Sequence, residues 1–190
     1  MTEPKTLPVR PRHAASLILL RGSGPRAEVL MGKRPRKSRF APDVFVFPGG
    51  AVDPADRQRP SPLSPLCTRL THAPGRLAGA LAAAAVRETV EETGLTLPDD
   101  APLTLAARAI TPTNSPVRFH ARFFRADAAD MTGTLADSDE LSELAWRPLP
   151  VARALPLFDI TEAILDALMA DDPPFLFTYR HGKARLKTLI

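Results

Sequence analysis

Three carboxylates and one guanidinium fall within the six-residue stretch Arg87-Glu88-Thr89-Val90-Glu91-Glu92, and Gly94 follows shortly after. On a helix, Glu88 and Glu92 lie four apart on one face, and Arg87 and Glu91 lie four apart on the adjoining stripe. Carboxylates held side by side repel one another unless a cation sits among them. An all-oxygen donor set suits a hard divalent ion such as magnesium. The same spacing also describes a solvated helix face with one ordinary ion pair, and charged helical runs are more often that. The run alone leaves both readings open.

The elements that must position these groups lie on either side. Leu77 to Val86 is dominated by alanine and leucine, strong helix formers, and Gly94 is placed to cap the C-terminus. Upstream, the apolar strand Val44-Phe45-Val46-Phe47 ends at Pro48-Gly49-Gly50. Paired glycines let another group approach the backbone, and a carbonyl exposed there can reach a metal; the plain alternative is a simple turn. Residues 57–76 open on a proline-dense stretch that excludes regular helix and central strand. They read as an inserted surface segment with a short helical turn near Leu66 to Leu70.

The rest of the chain reads as follows. Ala14–Leu20 is an apolar run of buried-strand length, and Glu28–Arg34 returns from a turn to make a hairpin. The basic loop Lys33–Arg39 is either a solvated loop or a phosphate-facing patch, with Arg34 and Arg39 as candidate contacts. Leu103–Ile110, Arg118–Ala126 and Leu144–Leu149 are strands. Alternation puts Arg118, Arg122 and Phe124 on one face and Phe119 and Phe123 on the core face. The two arginines either meet phosphates or decorate an exposed sheet, and Phe124 is placed to stack on a base. Asp159–Met169 is an amphipathic helix with Asp159 as its N-cap, and Phe175–Leu186 is a hairpin turning at His181-Gly182. Strands and helices mix without strict alternation, which predicts an α/β protein of the α+β type with a mixed sheet flanked by helices.

At 190 residues and 44% hydrophobic, the chain suffices for one domain, read as 13–190 behind a proline-rich flexible lead at 1–12. A net charge of +4 favours anionic ligands but is too weak and scattered to indicate nucleic acid. Cys67 is the single cysteine, so there is no disulfide framework and no CxxC metal site. No apolar run approaches the roughly 18 to 20 residues that span a membrane, and the N-terminus lacks the apolar core of a secretory signal. The expected compartment is the cytoplasm.

Taken together, these residues resemble the Nudix hydrolase superfamily. Its signature is glycine, five residues, glutamate, seven residues, then Arg-Glu-apolar-x-Glu-Glu-x-Gly-apolar. Arg87 to Leu95 matches the second half, with Thr89 in place of an aliphatic, and Phe47-Pro48-Gly49-Gly50 matches the usual entry. There are two departures. Asp56 stands where the first glutamate belongs, and far more than seven residues separate it from Arg87. An insertion inside the box, with Phe47–Asp53, Arg39-Phe40-Ala41-Pro42, Ile110-Thr111-Pro112 and the Arg118–Phe124 strand, is similar to the coenzyme A diphosphatase-like branch. The histidine-containing coenzyme A motif of other Nudix families is absent, since no histidine lies between His13 and His72.

The resemblance implies a mixed β-sheet sandwiched between helices (α/β/α). It implies metal-dependent cleavage of a diphosphate linkage in a small nucleoside diphosphate derivative, coenzyme A or an acyl-coenzyme A among the candidates. Nucleoside triphosphates, dinucleotides and nucleotide sugars are the alternative substrates. Magnesium or manganese would be held by Glu88, Glu91, Glu92 and the Gly50 carbonyl, with Arg87 holding a glutamate in place. The general base is a box glutamate, Glu88 or Glu91, or an acid of the later loop, with Glu140 first. Asp56 is expected to be displaced by the insertion and at most structural. A different class is a Nudix-fold nucleotide-binding regulator that has lost catalysis, although the box carboxylates are kept. The inserted segment is a candidate contact for a homodimer.

Overall fold

The computed structural model describes residues 9–38, 42–98, 100–129 and 131–189. Strands β1 (Arg12–Arg21) and β2 (Glu28–Lys33) form the expected hairpin, followed by β3 (Phe45–Val46) and β4 (Gly49–Ala51). Helices α1 (Pro65–Leu70) and α2 (Leu77–Thr93) precede β5 (Leu95–Thr96), β6 (Thr104–Ile110) and β7 (Phe119–Asp127). Then come β8 (Thr132–Gly133), β9 (Ser142–Pro148), α3 (Leu149–Arg153) and α4 (Asp159–Ala170). The hairpin of β10 (Phe175–Arg180) and β11 (Lys183–Thr188) ends the described chain.

Nine strands form one mixed sheet in the order β11-β10-β6-β7-β1-β2-β3, with β4 paired to β1 and β9 to β2. The parallel pairings are β1 with β7 and β6 with β10. Helix α2 covers one face, where Leu81, Ala82 and Ala85 pack with Leu17, Leu19 and Phe124. On the other face Leu149, Ala152, Ile164 and Leu165 of α3 and α4 pack with Ile18, Val29 and Phe123. The result is a mixed sheet between helices. Small alanine side chains let the first half of α2, Leu77 to Ala85, sit buried against the sheet, and its apolar surface has no polar side.

Three local expectations need correction. The apolar run at 44–47 supplies only the two-residue β3, and the glycines after it lie in a second strand rather than a turn: β3 pairs with β2, whereas β4 pairs with β1. The break falls at Pro48, which has no N–H to give a ladder and offers its carbonyl to the Leu17 N–H. Asp159 is the first helical residue, and Phe158 is the N-cap. The Asp159 carboxylate accepts from the Ile160 N–H and from the Tyr179 hydroxyl, so it ties α4 to β10. Finally, Phe124 is wholly enclosed under α2 and cannot stack on a base.

The segment between Asp56 and α2 docks on the domain. Gly79 of α2 lies so close to Ser61 that a Cβ there would come within 2.9 Å of the Ser61 Cβ. Cys67 on α1 is buried, and its Sγ accepts from the Leu105 N–H at 3.2 Å. No helix among the described residues is long and apolar enough to cross a membrane.

Candidate active site

The site forms where the last two turns of α2 meet β4. β4 pairs with β1 so that Gly50 stands opposite Ala15 and Gly49 opposite Ser16. This pairing brings the glycine backbone against the Glu88–Glu92 face of α2. The Gly49 N–H donates to Glu92 Oε2 at 2.8 Å. A Cβ on Gly50 would lie 2.4 Å from Glu88 Oε1, so only glycine leaves room for that carboxylate. On the other side of Gly49, a Cβ would lie 2.4 Å from the Ala15 carbonyl oxygen.

Arg87 is the hub of the arrangement. Its Nε and Nη2 each donate to the Asp56 carboxylate at 3.1 Å. Nη1 donates to Glu88 Oε1 at 2.9 Å and to Glu91 Oε2 at 3.0 Å, and Nη2 also reaches the Ala51 carbonyl at 3.0 Å. The Asp56 side chain pushes the guanidinium pKa further up, so Arg87 stays charged. Asp56 is not displaced by the segment that follows it. Its carboxylate is fully buried and also accepts from the Asp53 N–H, closing a capping box on the short turn Pro54–Gln58. The shorter aspartate reaches Arg87 because that turn carries its backbone toward α2.

Glu92 and Glu88 differ from Glu91. Glu92 is 6% exposed, and burial together with the charges of Glu88 and Glu140 pushes its carboxyl up to about 8. The Gly49 N–H and the Arg34 charge pull the other way. Burial also raises the Glu88 carboxyl. Glu91 lies on the exposed flank, tied to Arg87. Thr89, where the family pattern has an aliphatic, is buried among apolar groups, and its hydroxyl is satisfied by the Ala85 carbonyl at 2.8 Å.

Glu140 comes from the loop before β9. Asp137 fixes that loop by accepting from the Glu143 and Leu144 N–H groups. Glu143 pairs with Lys33, and Asp139 with Lys37. Glu140 has no ion pair among the described residues, and its charge acts on both Glu88 and Glu92. Arg34 stands at the same cleft, whereas Arg39 lies outside the described residues.

The other two predicted arginines are elsewhere, and neither faces solvent. Arg118 is a backbone clasp: Nη1 donates to the Val9 carbonyl at 2.8 Å, and Nε and Nη2 to the Thr111 carbonyl at 3.3 Å. Arg122 is 0% exposed, and its Nε donates to the Thr71 carbonyl. Alternation placed Arg122 and Phe124 on one face correctly, but that face is covered by α2 and the segment before it. Arg108, His13 and His120, which surround Arg122, were not singled out from the sequence, because only strand register brings them together.

The donor set at α2 fits a hard divalent cation. It is all oxygen and part-buried, and its carboxylates raise one another's pKa, which a cation would reverse. Among the described residues, no three acidic, histidine or cysteine side chains close into a cage.

The NUDIX domain family model matches residues 10–168. A NUDIX hydrolase from Alicyclobacillus acidocaldarius superposes with a TM-score of 0.69 at 29% identity, over 85% of this chain and 92% of that one. A MutT NUDIX hydrolase from Burkholderia pseudomallei gives 0.57 at 21% identity, over 83% and 98% of the two chains, and so shares the fold. The Nudix hydrolase RenU from M. Smegmatis gives 0.55 at 24% identity, over 86% and 87%. Comparison with curated proteins gave no match. With the family model spanning β1 through most of α4, and the box carboxylates gathered at the Gly49-Gly50 backbone, this chain belongs to the NUDIX domain family and is a Nudix hydrolase.

Proposed function

We propose that this Nudix hydrolase cleaves the diphosphate linkage of a nucleoside diphosphate derivative with the help of Mg2+ or Mn2+. The reading is carried by one observation: Glu88 and Glu92 converge on the Gly49-Gly50 backbone while Arg87 and Asp56 lock the helix end beside them. Glu88, Glu92 and Glu91, with the Gly50 carbonyl, would hold the cation. Bound there, it would neutralise diphosphate charge and lower the pKa of a bound water. Arg87 is a positioning residue, since its donors are used on Asp56, Glu88, Glu91 and Ala51. Arg34 meets substrate phosphate from the β2 side of the cleft. The Glu140 carboxylate takes the proton of the attacking water, because it is exposed, has no ion pair among the described residues and its charge acts on both metal-facing glutamates.

The finer reading is coenzyme A or an acyl-coenzyme A. It is supported by the likeness of Phe47–Asp53, and of the long segment between Asp56 and α2, to the coenzyme A diphosphatase-like branch. The test is a panel of coenzyme A, acyl-coenzyme A, nucleotide sugars, dinucleotides and nucleoside triphosphates, incubated with Mg2+ or Mn2+ and resolved by product mass. The expected result is cleavage between the two phosphorus atoms, with the highest kcat/KM for coenzyme A or its acyl esters. Turnover of another diphosphate alone overturns the finer reading. Tight nucleotide binding without any product overturns both and makes the chain a binding module.

A further inference from the structure

A second concentration of charge, of opposite sign, lies beyond β1 on the same face of the sheet. Arg108 on β6 stands opposite Arg122 on β7, and Arg122 stands opposite Ala15 on β1. Cross-strand partners share a face. Here it is the α2 face, because Ala15, Leu105 and Phe124 pack with Leu81 and Ala82. Two residues from Arg122 along β7 is His120, and two from Ala15 along β1 is His13; their ring centroids are 5.8 Å apart. Arg122 Nη1 lies 3.2 Å from His13 Nδ1 and donates to the His120 carbonyl at 2.9 Å.

This cluster has no counter-charge among the described residues. Arg108 is 6% exposed and makes no hydrogen bond or ion pair among the described residues. Its Nε is buried without a partner, and so is His120 Nε2. Burial lowers the Arg108 pKa, burial and Arg108 lower that of Arg122 to about 10, and no carboxylate opposes either shift. A buried guanidinium is normally paired, because the desolvation cost of a lone one is high. Two side by side with no acid are held more economically around an anion. A phosphate group supplies several acceptor oxygens and matches the planar guanidinium fork. His120 is held neutral, its pKa pushed down to about 3 by burial and the neighbouring cations, so its free Nε2 can donate.

We propose that Arg108, Arg122 and His120, with His13 at the edge, form a phosphate-binding site distinct from the carboxylate site. The exposed Arg57 carries its positive field outward beside the segment before α2, where an anion would enter. The phosphate is either free inorganic phosphate or a monoester on the substrate itself. Geometry permits the second. Gly50 pairs with Ala15 and Ala15 with Arg122, two interstrand steps that add to about 10 Å. A molecule with its diphosphate at Gly50 can therefore carry a further phosphate to Arg122; this source alone depends on the diphosphatase reading.

The test is thermal unfolding of the full chain, stripped of metal, in inorganic phosphate against chloride at matched ionic strength. Wild type is expected to show a saturable rise in Tm with phosphate. Arg108→Gln is expected to lose that rise and to be no less stable than wild type in chloride, because it removes an uncompensated charge. Arg108→Lys keeps the charge without the fork and is expected to shift saturation to higher phosphate; it serves if the glutamine variant does not fold. No phosphate-dependent rise in wild type, or an equal rise in all three proteins, overturns the site. Turnover then separates the sources. Competitive inhibition by phosphate, with an Arg108→Gln KM increase larger for a monoester-bearing substrate than for its dephosphorylated counterpart, assigns the site to substrate. Stabilisation without competition assigns it to free phosphate. The unfolding arm needs neither metal nor turnover, so its failure leaves the diphosphatase reading untouched.

Discussion

The two charged regions of this molecule share one face of the sheet and are built on opposite terms. At the end of α2, acids crowd around a guanidinium that belongs to the chain. Arg87 serves Asp56, Glu88 and Glu91, with Asp53 at 3.9 Å. Between β6 and β7, Arg108 and Arg122 crowd together with no acid beside them among the described residues. In the first region the internal pair fixes geometry and leaves a defined remainder, chiefly Glu92, which has the Gly49 N–H as its hydrogen-bond donor. That remainder sits in the last helical turn, where the helix dipole also disfavours negative charge and no basic residue offsets it. In the second region nothing is balanced internally. What a folded chain leaves unneutralised indicates what its ligand must bring: a cation to α2, an anion to β6 and β7.

The contrast can be broken at either end. The largest effect is expected for Asp56→Ala, which removes the fully buried partner of Arg87 and should cost about 3–5 kcal/mol of stability in denaturant unfolding. A cost under about 1 kcal/mol would mean that Arg87 does not depend on that pair. Glu140→Gln should lower kcat by about 10²- to 10⁴-fold with little change in KM. An unchanged kcat would move the base to a box glutamate. Gly50→Ala should push the Glu88 carboxylate aside and reduce kcat/KM by about 100-fold at nearly native Tm, since the clash is with a movable side-chain end. Gly49→Ala is its control: the clash there is with the Ala15 backbone, so stability should fall by about 1–3 kcal/mol. Glu91→Gln should change stability by less than about 1 kcal/mol, because its pair with Arg87 is exposed. A larger loss would place Glu91 in the structural lock with Asp56.

The first region was legible in the sequence and the second was not, for a physical reason. Glu88, Glu91, Glu92 and Arg87 lie on one helix, where spacing along the chain dictates the shared face. The Ala-rich tract announced that helix, and Gly94, with φ of 73°, closes it. Arg108, Arg122, His13 and His120 are gathered by register between three strands, which no local pattern encodes. Arg122 also read as a solvated position or a direct substrate contact, because arginine is almost never fully buried. The split of β3 from β4 was hidden likewise, since alternation does not say which neighbour a strand joins. Helix α3, five residues with a proline in its first turn, is too short to show a period. Asp56 was legible as a residue but not as a partner, because the turn that brings it to Arg87 is set by its own capping box.

The decisive measurement is magnesium-dependent diphosphate cleavage by Glu92→Gln beside wild type, with Tm recorded for both. Glutamine keeps an oxygen for the Gly49 N–H, so the fold should persist while the charge is lost. Turnover is expected to fall about 1,000-fold or more, equivalent to about 4 kcal/mol of transition-state stabilisation, at a Tm near that of wild type. Full turnover by a folded Glu92→Gln protein would contradict the assignment of the carboxylate face of α2 as the catalytic centre.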